Sequence, residues 1–344
     1  MKAWLLKRCG NIIEDDDILE LCDVPIPKVE PNEILIKIKA SGVCHTELDE
    51  IEARTPPPKF PVILGHQISG VVDKTGKEVK NFKEGDRAAV AWIGSSCGKC
   101  VYCQSGLENL CDDFQATGRD INGGYAQYIA INENFAYKID GGFEDEFVAP
   151  LLCAGAVGYR SLILTEIKDG EALGFMGFGA SAHLVLKLAK ILFPASPIFV
   201  FARSEKERQF AKELGADWAG DVEEIPPQKP KAIIDTTPVW KPVIASLNSL
   251  QKGGRVVINA IRKESIDKEE LLKLQYESHL WLEKEIKSVA NVTRKDVEKF
   301  LDIAFKNGIK PEIQIYSFEN AKKALIEIKK REIRGAKVLI VDGK

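Results

Sequence analysis

The chain is short of methionine, with two in 344 residues, and of histidine, with four. It lacks any run of about 18 or more consecutive apolar residues, so no transmembrane helix is expected. The N-terminus, Met1-Lys2-Ala3-Trp4-Leu5-Leu6-Lys7-Arg8, has no apolar stretch long enough for a secretory signal, and a cytoplasmic setting is expected. A charge excess is missing too. The 48 Lys and Arg against 51 Asp and Glu leave −3, which gives no reason to expect nucleic acid or a membrane as partner. There is no internal repeat and no low-complexity segment. What remains is ordinary for a globular protein, 45% apolar and 29% charged. Lys and Glu are interspersed along helical stretches, and with methionine so scarce this resembles the composition of heat-adapted proteins.

Single domains usually run to roughly 100–200 residues, so this length favours two. The first third reads as short strands punctuated by turns. Ile34–Lys39 alternates as a half-buried strand, Val62-Ile63-Leu64 runs into Gly65, and Gly70-Val71-Val72 restarts an extended segment. The middle changes period. Glu171–Met176, Pro197–Phe201, Lys231–Asp235 and Gly254–Ile258 read as buried strands, with helices from Gly177 through Leu192 and from Ser204 to Leu214. That alternation predicts a parallel, doubly wound sheet. Two helical stretches (Thr293–Asn307 and Phe318–Lys330) and a strand, Lys337–Val341, follow.

Eight cysteines in such a chain are read as metal ligands or nucleophiles before disulfides. Cys97, Cys100, Cys103 and Cys111 fall within fifteen residues, among Gly98, Lys99, Gln104, Ser105 and Gly106, a poor composition for a core. Closely spaced Cys pairs deliver the tetrahedral thiolate set of a structural zinc. An iron–sulfur cluster is the alternative, since C-x2-C-x2-C suits it as well. Three more candidates, Cys44, His66 and Cys153, are far apart in sequence, each beside glycine or proline where a loop could present it. Cys2His is one established catalytic zinc set that keeps an open position for substrate. Cys9 and Cys22 are left over as packing residues or free thiols, His183 as a packing or capping residue, and His279 without a chemical context.

Gly177-x-Gly179-x-x-Ala182 follows a strand and opens a helix, the setting a dinucleotide fingerprint requires. The first Gly makes the tight turn, the second lets backbone approach the pyrophosphate, and the small third residue lets helix and strand pack closely. The second strand ends Phe201-Ala202-Arg203-Ser204, without the carboxylate that holds a ribose 2′-hydroxyl. Arg203 and Ser204 could instead bind a 2′-phosphate, which favours NADP over NAD; the alternative is a merely solvated arginine.

Taken together, the four-cysteine loop, Gly42-Val43-Cys44-His45-Thr46, Gly65-His66 and the Cys153 segment, in this order and separation, resemble the zinc-dependent alcohol dehydrogenases of the medium-chain dehydrogenase/reductase superfamily. The resemblance spans essentially the whole chain. It implies a β-rich GroES-like catalytic domain over 1–154 and 292–344, with an α/β Rossmann nucleotide-binding domain, a doubly wound parallel sheet, over 155–291. It further implies two zinc ions per chain: one catalytic, on Cys44, His66 and Cys153, and one structural. Thr46 matches the hydroxyl that takes the substrate proton, and Glu47 an acidic residue that orients the ligand histidine. Asp49 stands where many relatives have a histidine at the surface end of a proton relay. His45 falls near the cofactor pyrophosphate, and Trp92 in a stretch that lines the substrate pocket. One departure is Gln67, where relatives have Glu directly after the ligand histidine; a retained zinc with altered ligand exchange is expected.

The expected activity is hydride transfer between a primary alcohol or aldehyde and NADP(H), in a homo-oligomer. Trp92 leans towards an apolar substrate. Two alternatives stay open: the same fold acting on a polyol or aromatic alcohol with NAD(H), and a non-catalytic member keeping only the structural zinc.

Overall fold

The computed structural model describes residues 1–330 and 334–341. The chain divides into two compact units, Met1–Cys153 with Val292–Lys306 and Lys310–Lys344, and Ala154–Asn291 with Asn307–Ile309.

The first unit is built on the long strand Glu33–Val43. The sequence suggests a half-buried strand, but consecutive residues such as Ile34, Leu35 and Ile36 are all buried, so both faces are covered, and breaks in pairing at Leu35/Ile36 and Ile38/Ala40 bend it. On one side it pairs antiparallel with Ile68–Thr75, which pairs with Arg87–Val90 and then Ala136–Lys138. On the other side Tyr128–Asn132 covers its first half and Ala336–Ile340 its second. The chain's last strand thus returns beside the segment that leads into Cys44. Ala40, Ala149 and Val338 form a small core beneath this junction. Lys337, on the same strand, is 2% exposed; its Nζ donates to Tyr316 Oη at 2.6 Å and to Glu327 at 2.7 Å.

In the second unit the described residues form six parallel strands in the order Trp218–Gly220, Ile198–Phe201, Leu173–Met176, Ala232–Asp235, Arg255–Ile258, Glu285–Ser288. Numbered along the chain this is 3-2-1-4-5-6, the order of dinucleotide-binding sheets, with the switch point between the first and fourth strands. Apolar side chains from the strands and the helix Lys241–Ser249, Met176, Phe201, Ile233, Leu247 and Val256 among them, fill the core. The helices Ala154–Leu164 and Ala180–Leu192 pack so closely that a Cβ on Gly158 would stand 2.2 Å from Val185. Asp235, at the end of the fourth strand, is fully buried and paired with Lys263, whose Nζ also donates to the carbonyls of Thr237 (2.7 Å) and Val239 (3.0 Å).

By length and composition alone, the segment Asp145–Leu164 could cross a membrane. Two-thirds of it is buried inside the protein, and it is divided by a 3-10 turn at Ala149–Leu152, features of a core helix.

Candidate active site and metal centres

Cys44 directly follows the long strand and caps the helix His45–Ile51. This helix was not foreseen, and it fixes the site. Glu47, at its third position, turns back so that Oε2 accepts the Cys44 N–H at 2.7 Å. Its Oε1 lies 2.7 Å from His66 Nδ1, both groups fully buried. Cys153 sits at a turn between the 3-10 segment Ala149–Leu152 and the helix Ala154–Leu164. Thus three residues from distant parts of the chain converge: the two sulfurs and a ring nitrogen of His66 lie within 4.8 Å of one another.

The electrostatics match a cation site. Cys153 holds the Cys44 thiol well below its ordinary value, and His66 adds to this. Cys44 in turn pushes Cys153 well up. Burial alone would lower His66, but Glu47 and Cys44 overcome it and raise the imidazole well above the usual range. With Nδ1 facing Glu47, Nε2 is left buried and makes no hydrogen bond among the described residues. An orphaned imidazole nitrogen beside two soft thiols is the donor set a zinc ion requires.

Thr46 Oγ1 lies 3.4 Å from Cys44 Sγ. Trp92 is 9% exposed, its ring 5.1 Å from Phe114, with the Arg119 guanidinium 5.6 Å from its centroid. Gln67 is buried and packs so tightly on Gly42 that a Cβ there would meet its Oε1 at 2.6 Å. Asp49 is not at the surface, as expected for the outer end of a relay. Its side chain is 3% exposed and pairs with Arg54. The group that faces solvent is His45, 48% exposed, with Nε2 4.0 Å from Asp49 Oδ1.

The four-cysteine loop closes on itself. Cys97, Cys100, Cys103 and Cys111 present sulfurs within 4.8 Å of one another. Gly98, with φ 71°, makes a turn that aims the N–H groups of Lys99 (3.5 Å) and Cys100 (3.3 Å) at Cys97 Sγ. Those amides pull the Cys97 thiol down to about 6. Cys111 receives the Cys97 N–H, yet burial and shared protons push it up to about 11. Buried Glu108 pins the loop by accepting from Arg294 N (3.0 Å) and Nε (3.1 Å). Neither Glu108 nor Arg294 had a sequence signal, because their pairing spans 186 positions.

In the second unit Gly177 adopts φ 79° after the first strand, Gly179 caps the helix Ala180–Leu192, and Ala182 is fully buried against the sheet. Arg203 is exposed just beyond the second strand, and Ser204 caps the helix Glu205–Glu213. Arg208 Nη1 donates to the carbonyls of Ala202 (2.8 Å) and Arg203 (3.1 Å), fixing this turn.

Residues 30–141 match the alcohol dehydrogenase GroES-like domain. The probable alcohol dehydrogenase AdhA of Mycobacterium tuberculosis (strain CDC 1551 / Oshkosh) is 37% identical, covering 99% of this chain and 97% of its own. The chain belongs to the zinc-type medium-chain alcohol dehydrogenases. An alcohol dehydrogenase of Geobacillus stearothermophilus is 32% identical over 94% of this chain and 96% of its own. Among solved structures, CAD from Helicobacter pylori complexed with NADP(H) shares the fold at TM-score 0.85 and 24% identity, covering 98% of this chain and 97% of that one.

Proposed function

We propose that this alcohol dehydrogenase interconverts a primary alcohol and its aldehyde with NADP(H), using two zinc ions per chain. The observation that carries the reading is the Cys44, His66, Cys153 trio, whose orphaned imidazole nitrogen and paired thiols fit a cation. When bound, zinc would supply the Lewis acidity that acidifies an alcohol, and the nicotinamide a hydride acceptor or donor. Cys44, His66 and Cys153 would hold the catalytic ion, and Cys97, Cys100, Cys103 and Cys111 the structural one.

Glu47 orients His66 and keeps Nδ1 engaged, so that Nε2 stays available. Thr46, beside Cys44, takes the substrate's hydroxyl proton. Buried Asp49, pinned by Arg54, serves to hold the helix, and proton exchange with water passes to exposed His45. By resemblance, His45 would also contact the pyrophosphate. Gly177, Gly179 and Ala182 form the turn that receives the dinucleotide, at the switch point of a 3-2-1-4-5-6 sheet. Arg203 and Ser204, with no carboxylate at the strand end, favour a 2′-phosphate. Gln67 lacks the charge of the usual glutamate and alters ligand exchange. The exposed edge strand Glu285–Ser288, flanked by Trp281 and Leu282, is a seam suited to a homo-oligomer.

The test is oxidation of NADPH and NADH by purified protein over simple aldehydes, alongside zinc content. Turnover that prefers NADPH, lost when Cys44 or Cys153 becomes Ser, supports the reading. Absence of turnover in a protein that holds two zinc ions overturns it.

A further inference from the structure

Glu50 is a carboxylic acid with nowhere to go. It is 1% exposed, and neither oxygen makes a hydrogen bond among the described residues. Helical geometry says where it projects. At about 100° per residue, Glu50 lies about 40° round the helix from Thr46 and about 60° from Glu47. It therefore stands one turn beyond the two residues that flank the trio, on the face they share.

More unpaired polar atoms lie along contacts that lead away from His66. The Tyr125 ring lies against Gly65, next to His66, so closely that a Cβ on Gly65 would meet its Cδ1 at 2.5 Å. Gly118 abuts Gly65 in the same way, and the neighbouring Thr117 N–H donates to the Trp92 carbonyl at 2.8 Å. These contacts run in turn through Tyr125, Gly65, Gly118, Thr117 and Trp92. The Tyr125 hydroxyl, Trp92 Nε1 and Thr117 Oγ1 are buried and make no hydrogen bond among the described residues. The groups influence one another. Burial, then the Glu47 charge, pushes Glu50 well above the usual carboxylate range, while Arg119 opposes. Tyr125 is pushed well up by burial and by the charges of Glu47, Cys44 and Glu50.

Nearly all buried polar groups in folded proteins are hydrogen-bonded, and leaving one unmade is costly. Several orphaned donors and acceptors beside one reactive centre are explained if a ligand supplies their partners. A carboxyl group that accepts, a phenol that can do either and an indole N–H that donates are complementary to hydroxyl groups. Arg119, stacked on Trp92 and within electrostatic reach of Glu50, disfavours a cationic group there.

We propose that Glu50 is a specificity-determining residue whose carboxyl group, with the Tyr125 hydroxyl and Trp92 Nε1, binds a second hydroxyl of the substrate. The favoured substrates are then vicinal diols, polyols and hydroxyaldehydes, not plain alcohols. This rests on the alcohol/aldehyde reading above and refines its substrate class. It also corrects the apolar leaning taken from Trp92, because that ring presents an unpaired N–H.

The experiment compares kcat/KM for 1,2-propanediol and 1-propanol with NADP+ on the zinc-loaded enzyme, its Glu50→Gln and its Glu50→Val variants. The wild type is expected to favour the diol at least tenfold. Glu50→Val should lower the diol-to-propanol ratio at least tenfold, and Glu50→Gln, which can still hydrogen-bond, by less. Glu50→Val should also melt no lower than wild type, since it removes a buried unpaired carboxyl; a merely structural Glu50 would make it melt lower. Turnover of 1-propanol with no diol preference, or a ratio unchanged in both variants, overturns this inference and leaves the alcohol dehydrogenase reading standing. Failure to oxidise either alcohol, or to reduce any simple aldehyde, removes that broader reading and this one with it.

Discussion

Glu47 performs two tasks with two oxygens, and substitutions can separate them. Oε1 faces His66 Nδ1 at 2.7 Å, and Oε2 accepts the N–H of Cys44 at 2.7 Å. Glu47→Gln keeps an acceptor for the Cys44 amide and removes the charge that orients and polarises the imidazole. Partners of this kind change metal affinity by about 10- to 100-fold when lost. Glu47→Ala incurs that loss and also strands the amide, a buried donor whose desolvation costs about 1–3 kcal/mol. Zinc affinity should therefore fall by a similar factor in both variants, and only Glu47→Ala should show a clear loss of unfolding free energy. Competition with a chromophoric chelator measures the first quantity and urea unfolding the second. The four-cysteine loop serves as an internal control, since its ion should leave at the wild-type chelator concentration. Glu47→Gln with wild-type affinity at the weaker site, or with both ions weakened equally, would refute the assignment of Glu47 to the trio.

Other consequences are equally direct. Arg203→Ala should reduce the NADPH-over-NADH preference in kcat/KM roughly 10- to 100-fold, as lost hydrogen bonds to a charged phosphate imply; an unchanged ratio would return Arg203 to the solvated surface. Lys263→Met removes the cation facing Asp235, which at 0% exposure keeps only its hydrogen bonds from Thr237, and should destabilise by about 3–5 kcal/mol in urea unfolding, partly restored when Asp235→Asn is added. The Lys337–Glu327 pair predicts two pH limits. Glu327, held down by Lys337 from its usual 4.5, stabilises above that value and loses its contribution as pH falls through its lowered folded-state value. Lys337, whose burial is outweighed by Glu327 and Tyr316, is raised above 10.5, so its contribution is complete below 10.5 and disappears as pH rises further. Melting temperature should therefore depend less on pH in Lys337→Met at both extremes, and parallel curves for the two proteins would contradict this.

Much of the fold was legible because its elements announce themselves locally. The buried strands Leu173–Met176, Ile198–Phe201, Ala232–Asp235 and Arg255–Ile258 are continuous apolar runs between turn residues. Glu285–Ser288 was missed because it is an exposed edge strand whose sequence, EIKS, carries no hydrophobic signal. Trp218–Gly220 was missed because three residues cannot show a period. The helix His45–Ile51 was hidden by its position directly after an eleven-residue strand, with cysteine in place of a usual capping residue. Without it, Asp49 was taken as a surface group, and Glu50 passed unnoticed although it is three residues from Glu47. The four-cysteine loop was readable from spacing alone. The trio could be named as candidates from local context, but their convergence was not legible without the resemblance, since proximity across 110 residues is a property of the folded sheet. Pairings such as Glu108 with Arg294 and Lys337 with Glu327 are set by tertiary packing and leave no trace in local pattern.

The central claim, a catalytic zinc on Cys44, His66 and Cys153, is tested most directly by metal content per chain in wild type and in Cys153→Ser, with aldehyde-dependent NADPH oxidation measured on the same samples. Two zinc ions per wild-type chain with turnover, and one ion without turnover in the variant, are the expected results. One zinc ion per wild-type chain and no turnover would contradict the claim, leaving a structural ion on the four-cysteine loop in a protein that does not catalyse this reaction.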